Sequence, residues 1–158
     1  MRKDFAKLLL AEMHNNKNIY LVTADLGYGL WDDIRDTFPT RFYNFGSSEM
    51  LALGACVGLA MDGKIPFFYS ITPFAIYRPF EIIRNYLDHE MINVKIIGGG
   101  RGKDYSYLGF SHWAEEDRDV MSVFKHIDMY HPSCIDELKT QFNILVNNTK
   151  PTYINLKK

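Results

Sequence analysis

Cysteine, long apolar runs and excess charge of either sign are all scarce in this chain. Only two of its 158 residues are cysteine, Cys56 and Cys134, far apart and without CxxC spacing. That excludes a disulfide framework and a cysteine-based zinc site, and both read as reduced core thiols of a cytoplasmic protein. No apolar run approaches the roughly 20 residues a spanning helix needs, and the one in "MRKDFAKLLLAEM" is too short for a signal peptide. Eighteen Lys and Arg stand against nineteen Asp and Glu, a net charge of −1. A groove built on phosphate contacts needs a basic face, so nucleic-acid binding is excluded as a main function. The sequon at Asn147–Thr149 carries no weight without a secretory signal.

Familiar cofactor and catalytic signatures are missing too. "GGGRGKD" at 98–104 lacks the glycine and the hydroxyl residue of a P-loop, having Ile97 and Asp104 there, and GxGxxG fails at Lys103. "HEMIN" at 89–93 ends in Asn where a zinc-protease helix needs His. The five histidines (14, 89, 112, 126, 131) show no metal-ligand spacing, so no metal site is expected in this chain. There is no GxSxG elbow.

What is present is an ordinary globular composition, 47% apolar and 15% aromatic, in a chain long enough for one domain with its own core. Helical and strand patterns alternate. Residues 3–15 form an amphipathic helix through Phe5, Leu8, Leu9 and Met13, and "NIYLVTA" (18–24) is a strand. A short helix near 30–37 ends at Pro39, and "RFYNF" supplies a second strand. A helix follows from Glu49, apolar all round through Met61 and therefore expected to be buried. "IPFFYSI" (65–71) is a third strand, 75–89 a helix, "INVKIIG" (92–98) a fourth strand. After a Gly-rich aromatic loop come a helix at 114–125, a strand at 126–131, a helix from an N-cap at Ser133 to about Asn147, and a last strand "TYINLK". This order predicts one doubly wound α/β domain over residues 1–158, a mostly parallel six-stranded sheet with helices on both faces. Ligands of such folds sit beyond the carboxyl ends of the strands.

Three stretches carry candidate chemistry. "NFGSSEM" puts Glu49 in the first turn of the apolar helix, where by itself it reads as a capping carboxylate. "TPFAIYRPFE" spaces Phe74, Tyr77 and Phe80 by three, by itself a core stripe. "GFSHWAEED" sets His112 in a Gly-flanked loop before a helix with an acidic first turn, a better functional position than a core histidine.

Their order raises them above those separate readings. Over nearly its whole length the chain resembles the pyrimidine-binding (Pyr) domain of the transketolase family of thiamine diphosphate enzymes. The resemblance runs through "MRKDFAKLLLAEM", "VTADLG", "FPTRF", "NFGSSEML", "GLAMDGKIP", "PFAIYRPFEIIRN", "NVKIIGG" and "GFSHWAEED". It implies that Glu49 is catalytic, hydrogen-bonding the pyrimidine nitrogen of the cofactor and driving its imino form. An apolar setting that raises the pKa of such a glutamate suits that task. It implies that Phe74, Tyr77 and Phe80 give the pyrimidine its apolar faces. It also implies that His112 contacts and stabilises substrate oxygen near the reactive carbon, and that Asp25 joins it at the substrate.

The family motif that holds magnesium and diphosphate does not occur here; "MDGK" does not fit it. The resemblance therefore implies a companion subunit carrying the PP domain, the N-terminal transketolase section, which holds Mg²⁺ and shares the cofactor, as in split transketolases. An α2β2 assembly is expected, with a Pyr–Pyr homodimer as the other arrangement, and the Gly/Ala-rich 50–61 helix is expected near a subunit interface. The family's third, C-terminal domain is expected to be absent. Leu108 stands where sugar-using members carry an acid, a Ser is missing after the Asp-Leu-Gly turn, and an expected Arg is missing around Phe124–His126. These departures weigh against a phosphorylated ketose. The implied function is C–C bond cleavage and formation next to a carbonyl. The alternatives are the Pyr subunit of a 2-oxoacid decarboxylase or dehydrogenase, and a noncatalytic regulatory scaffold.

Overall fold

Four largely apolar segments form the centre of a sheet buried on both faces, and two short, partly exposed strands form its edges. In the computed structural model, which describes residues Met1–Lys158, β1 (Ile19–Thr23), β2 (Phe42–Asn44), β3 (Ile65–Ile71), β4 (Lys95–Gly99), β5 (Asp128–Tyr130) and β6 (Thr152–Leu156) form one sheet. The order is β2-β1-β3-β4-β6-β5 and every neighbouring pair is parallel. The expected mostly parallel sheet is wholly so.

Alternation along each strand sends successive side chains to opposite faces. Leu21, Phe67, Tyr69, Ile97 and Ile154 meet α1 (Arg2–Asn15), α2 (Asp32–Thr37) and α7 (Ile135–Asn147) through Phe5, Leu9, Trp31, Leu138 and Phe142. Val22, Phe68, Ile96 and Tyr153 face the other layer, α3 (Glu49–Met61), α4 (Thr72–Ile76), α5 (Phe80–Ile82) and α6 (Asp117–Met121). The layer includes Ala52, Leu53, Cys56, Ile76 and Met121.

Several boundaries differ from the sequence reading. The helix expected at 75–89 is broken: α4 stops at Ile76, α5 starts after Pro79, and a π-helical stretch runs over Ile83–His89. Pro79 has no N–H to continue the ladder. The helix at 114–125 shrinks to α6 and the strand at 126–131 to β5. Cys134, not Ser133, holds the N-cap position of α7; Ser133 instead donates its N–H and hydroxyl to Glu137 Oε2 at 2.7 and 2.8 Å. Cys134 is exposed there, so only Cys56 is a core thiol.

The larger correction concerns α3. Its sequence is apolar all round, yet only one side is covered by this chain. Met50, Leu51 and Met61 are 47%, 60% and 71% exposed. No helix is long and apolar enough to cross a membrane.

Candidate functional site

Strand order decides where the loops meet. β2 and β3 lie on opposite sides of β1, so a crevice opens beyond their carboxyl ends. Three loops leave that edge: the turn after β2 that begins α3, the β3–α4 junction, and the long segment after β4. They carry Glu49, the Phe74–Arg78 segment and His112.

Gly46 makes the turn into α3 at φ +66, a left-handed conformation that suits glycine, and Ser48 N–H closes on Gly46 O at 2.7 Å. The turn drops Glu49 into the interior at 2% exposure. Its carboxylate makes no capping bond to a backbone N–H. Instead Oε1 accepts from Arg78 Nη1 at 2.7 Å. The apolar company expected for Glu49 is thus broken by one cation. A cavity of about 680 Å³ opens beside it, lined by Ser48, Glu49, Met50, Leu51, Gly54 and Arg78 among others.

Arg78 lies four residues after Phe74, in the turn between α4 and α5, and its Cζ stands 3.8 Å from the centroid of the Phe74 ring. Phe74 meets the His112 ring edge-on, centroids 4.9 Å apart. Glu49, Arg78, Phe74 and His112 therefore form one continuous chain of contacts across the three loops. His112 Nδ1 lies 3.0 Å from Ser111 Oγ, and Gly109, at φ +83, sets the bend before it.

The remaining candidates are placed differently. Tyr77 packs against the core, its hydroxyl buried without a hydrogen-bond partner. Burial, and then the nearby Glu116 carboxylate, push that phenol well above the usual range. Phe80 packs on Phe124, ring centroids 5.2 Å apart, away from the Glu49–His112 chain. Asp25 belongs to the β1 loop, at φ +54, with its N–H on Asn44 Oδ1 at 2.8 Å and its carboxylate taking the Tyr28 hydroxyl. The contact chain does not reach it.

Beneath the three loops lies a polar cluster that the sequence reading missed. Asp117, 3% exposed, accepts from Tyr153 OH at 2.7 Å and Asn155 Nδ2 at 2.9 Å, and its Oδ2 is 3.0 Å from His131 Nε2. Thr72 Oγ1 donates to Gly100 O at 2.6 Å, and Asn155 Nδ2 lies within 3.1 Å of that hydroxyl. Burial alone would push the Asp117 carboxyl up, but bonds from His131, Tyr153 and the Arg118 backbone hold it below its usual value. Gly98 sits over the cluster, where an added Cβ would meet Thr72 Oγ1 at 2.7 Å. Arg78 had a readable signal, a lone cation four residues after an aromatic; the Asp117 cluster had none, because its members come from segments scattered between Thr72 and Asn155.

The fold and this edge define a doubly wound α/β domain with its candidate site built from the loops after β2, β3 and β4. The family model of the transketolase pyrimidine binding domain matches residues 1–158, and the chain belongs to that family. It is 31% identical over 157 residues to a putative transketolase C-terminal section of Methanocaldococcus jannaschii, covering 99% of this chain and 50% of that one. It is 30% identical over 154 residues to one of the subunits of an apulose-4-phosphate transketolase of Phocaeicola vulgatus, covering 97% and 49%. Among solved structures, a split-gene transketolase described as an inactive β4 tetramer superimposes with a TM-score of 0.86 at 31% identity, over 99% of this chain and 50% of that one. The chain spans about half the length of these relatives.

Proposed function

We propose that this chain is the Pyr component of a two-component, thiamine diphosphate-dependent, transketolase-like enzyme. The observation that carries the proposal is a buried glutamate at a helix start, facing a cavity and joined through Arg78 and Phe74 to a loop histidine. The residues fit the aminopyrimidine end of that cofactor. Glu49 Oε2 makes no hydrogen bond and is not among the sealed, unpartnered atoms, so one carboxylate oxygen is left for a ring nitrogen. When bound, the cofactor would supply a carbon nucleophile for chemistry at a carbonyl carbon.

Glu49 then holds a proton between Oε2 and the ring nitrogen, a hydrogen-bonded role that burial strengthens. Phe74 offers apolar surface to the ring, while Tyr77, packed on the core, and Phe80, seated on Phe124, back this segment rather than the ring. We assign His112 the role of meeting substrate oxygen with an imidazole N–H as charge develops there, and Asp25 the outer rim of the substrate path. We assign Mg²⁺ and the diphosphate to a companion PP-domain chain, in an α2β2 assembly in the cytoplasm.

Support for the companion comes from α3. Its open apolar face continues into a groove of about 520 Å³ lined by Gly54, Gly58, Met61, Ile82 and Tyr86 among others. Apolar side chains left in water beside small residues suit close packing by another chain. The companion chain is the occupant we assign.

The test is Glu49→Gln in the reconstituted complex. Proton transfer by a positioned side chain contributes about 10²–10⁴-fold, so turnover should fall by at least 100-fold while sedimentation reports an intact complex. Wild-type turnover would sink the catalytic reading and leave the scaffold alternative.

A further inference from the structure

The Arg78–Glu49 pair joins unequal partners. The Glu49 side chain is 3% exposed and the Arg78 side chain 47%. A buried carboxylate needs a partner, and among the hydrogen bonds of this chain Arg78 is the one Glu49 has. An exposed arginine by contrast has no need of a buried acid, and holding it in one geometry costs side-chain entropy. Something else fixes it, namely the Phe74 ring under its guanidinium at 3.8 Å. Phe74 in turn is braced by His112.

The bond is also one-sided. Arg78 reaches Oε1 through Nη1, with no fork-to-fork pairing, and Oε2 is left unbonded. A carboxylate free to spin about its last torsion would present either oxygen to the cavity; tied at one oxygen, it presents the other in one direction. We propose that Arg78 is the positioning residue for Glu49. It holds Oε1, and the Phe74 ring holds Arg78, so that Oε2 faces the 680 Å³ cavity in the orientation a ring nitrogen requires. Arg78 acts through Glu49 and touches no reacting atom. The stacked geometry needs a planar cation with directed N–H groups, which lysine does not provide. This inference rests on the reading of Glu49 as the residue that meets the pyrimidine.

The experiment uses the chain reconstituted with its PP-domain companion, with thiamine diphosphate and Mg²⁺ as the probe. Three variants, Arg78→Met, Arg78→Lys and Glu49→Gln, are compared with wild type. Three quantities are read: cofactor dissociation constant by calorimetry, deuterium exchange of the cofactor's reactive C–H after acid quench, and melting temperature of each complex. Arg78→Met should weaken cofactor binding about tenfold and slow exchange at least tenfold, with the melting temperature of the complex unchanged. Arg78→Lys should recover most of the affinity but only part of the exchange rate, because it restores charge without the stacked fork. A merely structural arginine would instead lower the melting temperature and leave exchange per bound cofactor unchanged.

Exchange and affinity within twofold of wild type in Arg78→Met would overturn the proposal. So would tighter cofactor binding, which would make Arg78 a competitor for Glu49. If Arg78→Met does not assemble, Arg78→Lys decides, since wild-type exchange in that variant overturns the proposal equally. Glu49→Gln separates the two readings. Loss of exchange there with none in Arg78→Met removes only the positioning role, while unchanged exchange in Glu49→Gln removes the reading beneath it.

Discussion

Asp117 keeps a charge 3% exposed beneath the three loops, where only its donors make ionisation tolerable. Replacing it by asparagine leaves His131 and the Tyr153 hydroxyl facing an amide, and a hydrogen bond to a charged group contributes about 1.5–3 kcal/mol. We expect Asp117→Asn to lose about 3 kcal/mol in urea denaturation at neutral pH. The pH dependence has a definite sign. Its folded pKa lies below the ordinary 3.8, so its contribution is complete above the unfolded value and disappears as pH falls through the folded one. Asp117→Asn should therefore flatten the acid limb of the stability curve below about pH 4, and an unchanged acid limb would contradict the assignment. At this scale the sequence was half legible. Glu49 and His112 stood out because each broke a local pattern, an acid heading an apolar helix and a histidine among loop glycines. Arg78 stood in plain view, but its partner lies 29 residues away, and spacing along the chain says nothing of such a pair.

Among the elements, α3 shows what periodicity conveys and what it leaves out. A thirteen-residue helix with no charge after its leading Glu49 is predicted to avoid water on every side. The chain itself covers only the side carrying Ala52, Leu53, Cys56 and Val57. Gly58 lies on the uncovered side, where an added Cβ meets nothing within 4 Å. Glycine in a helix interior costs about 1 kcal/mol relative to alanine, so Gly58→Ala should stabilise the chain alone by about that amount in thermal unfolding. Gly58→Leu should leave the fold of the chain unchanged and weaken assembly with the companion at least tenfold, measured by sedimentation or calorimetry. Equal assembly of the leucine variant would show that the partner packs elsewhere. The broken helix after β3 was half legible in the same way. Pro79 announces an interruption, but the π-helical turn that follows it depends on how Ile83 and Leu87 pack against the core.

Across the whole molecule, the two edges of the sheet do different work. The carboxyl edge gathers the site, while the amino edge is sealed by Lys95, which lies at the start of β4 with no exposed surface. Its Nζ donates to the carbonyls of Asn148 and Lys150 at 3.3 and 2.7 Å, closing the carboxyl end of α7. Burial lowers this lysine from 10.5 to about 7, with Asp128 offsetting only part. Since the folded value lies below the unfolded one, the unfolded chain binds the extra proton between them, and stability rises with pH across roughly pH 7 to 10. Lys95→Met should remove that rise, as urea melts across the range will report, and should cost about 1–3 kcal/mol for the carbonyls left unpaired.

Order along the chain was enough to establish a doubly wound α/β domain, because strand and helix periods are local and each segment carries its own. Through ordered motifs it also pointed to the family and to Glu49 and His112. Tertiary packing was needed for the strand order, the contact chain from Glu49 through Arg78 and Phe74 to His112, the buried Asp117 cluster, and the bare face of α3. Each of these depends on which distant segments lie side by side. Packing of the whole sheet settles that, and no single stretch records it.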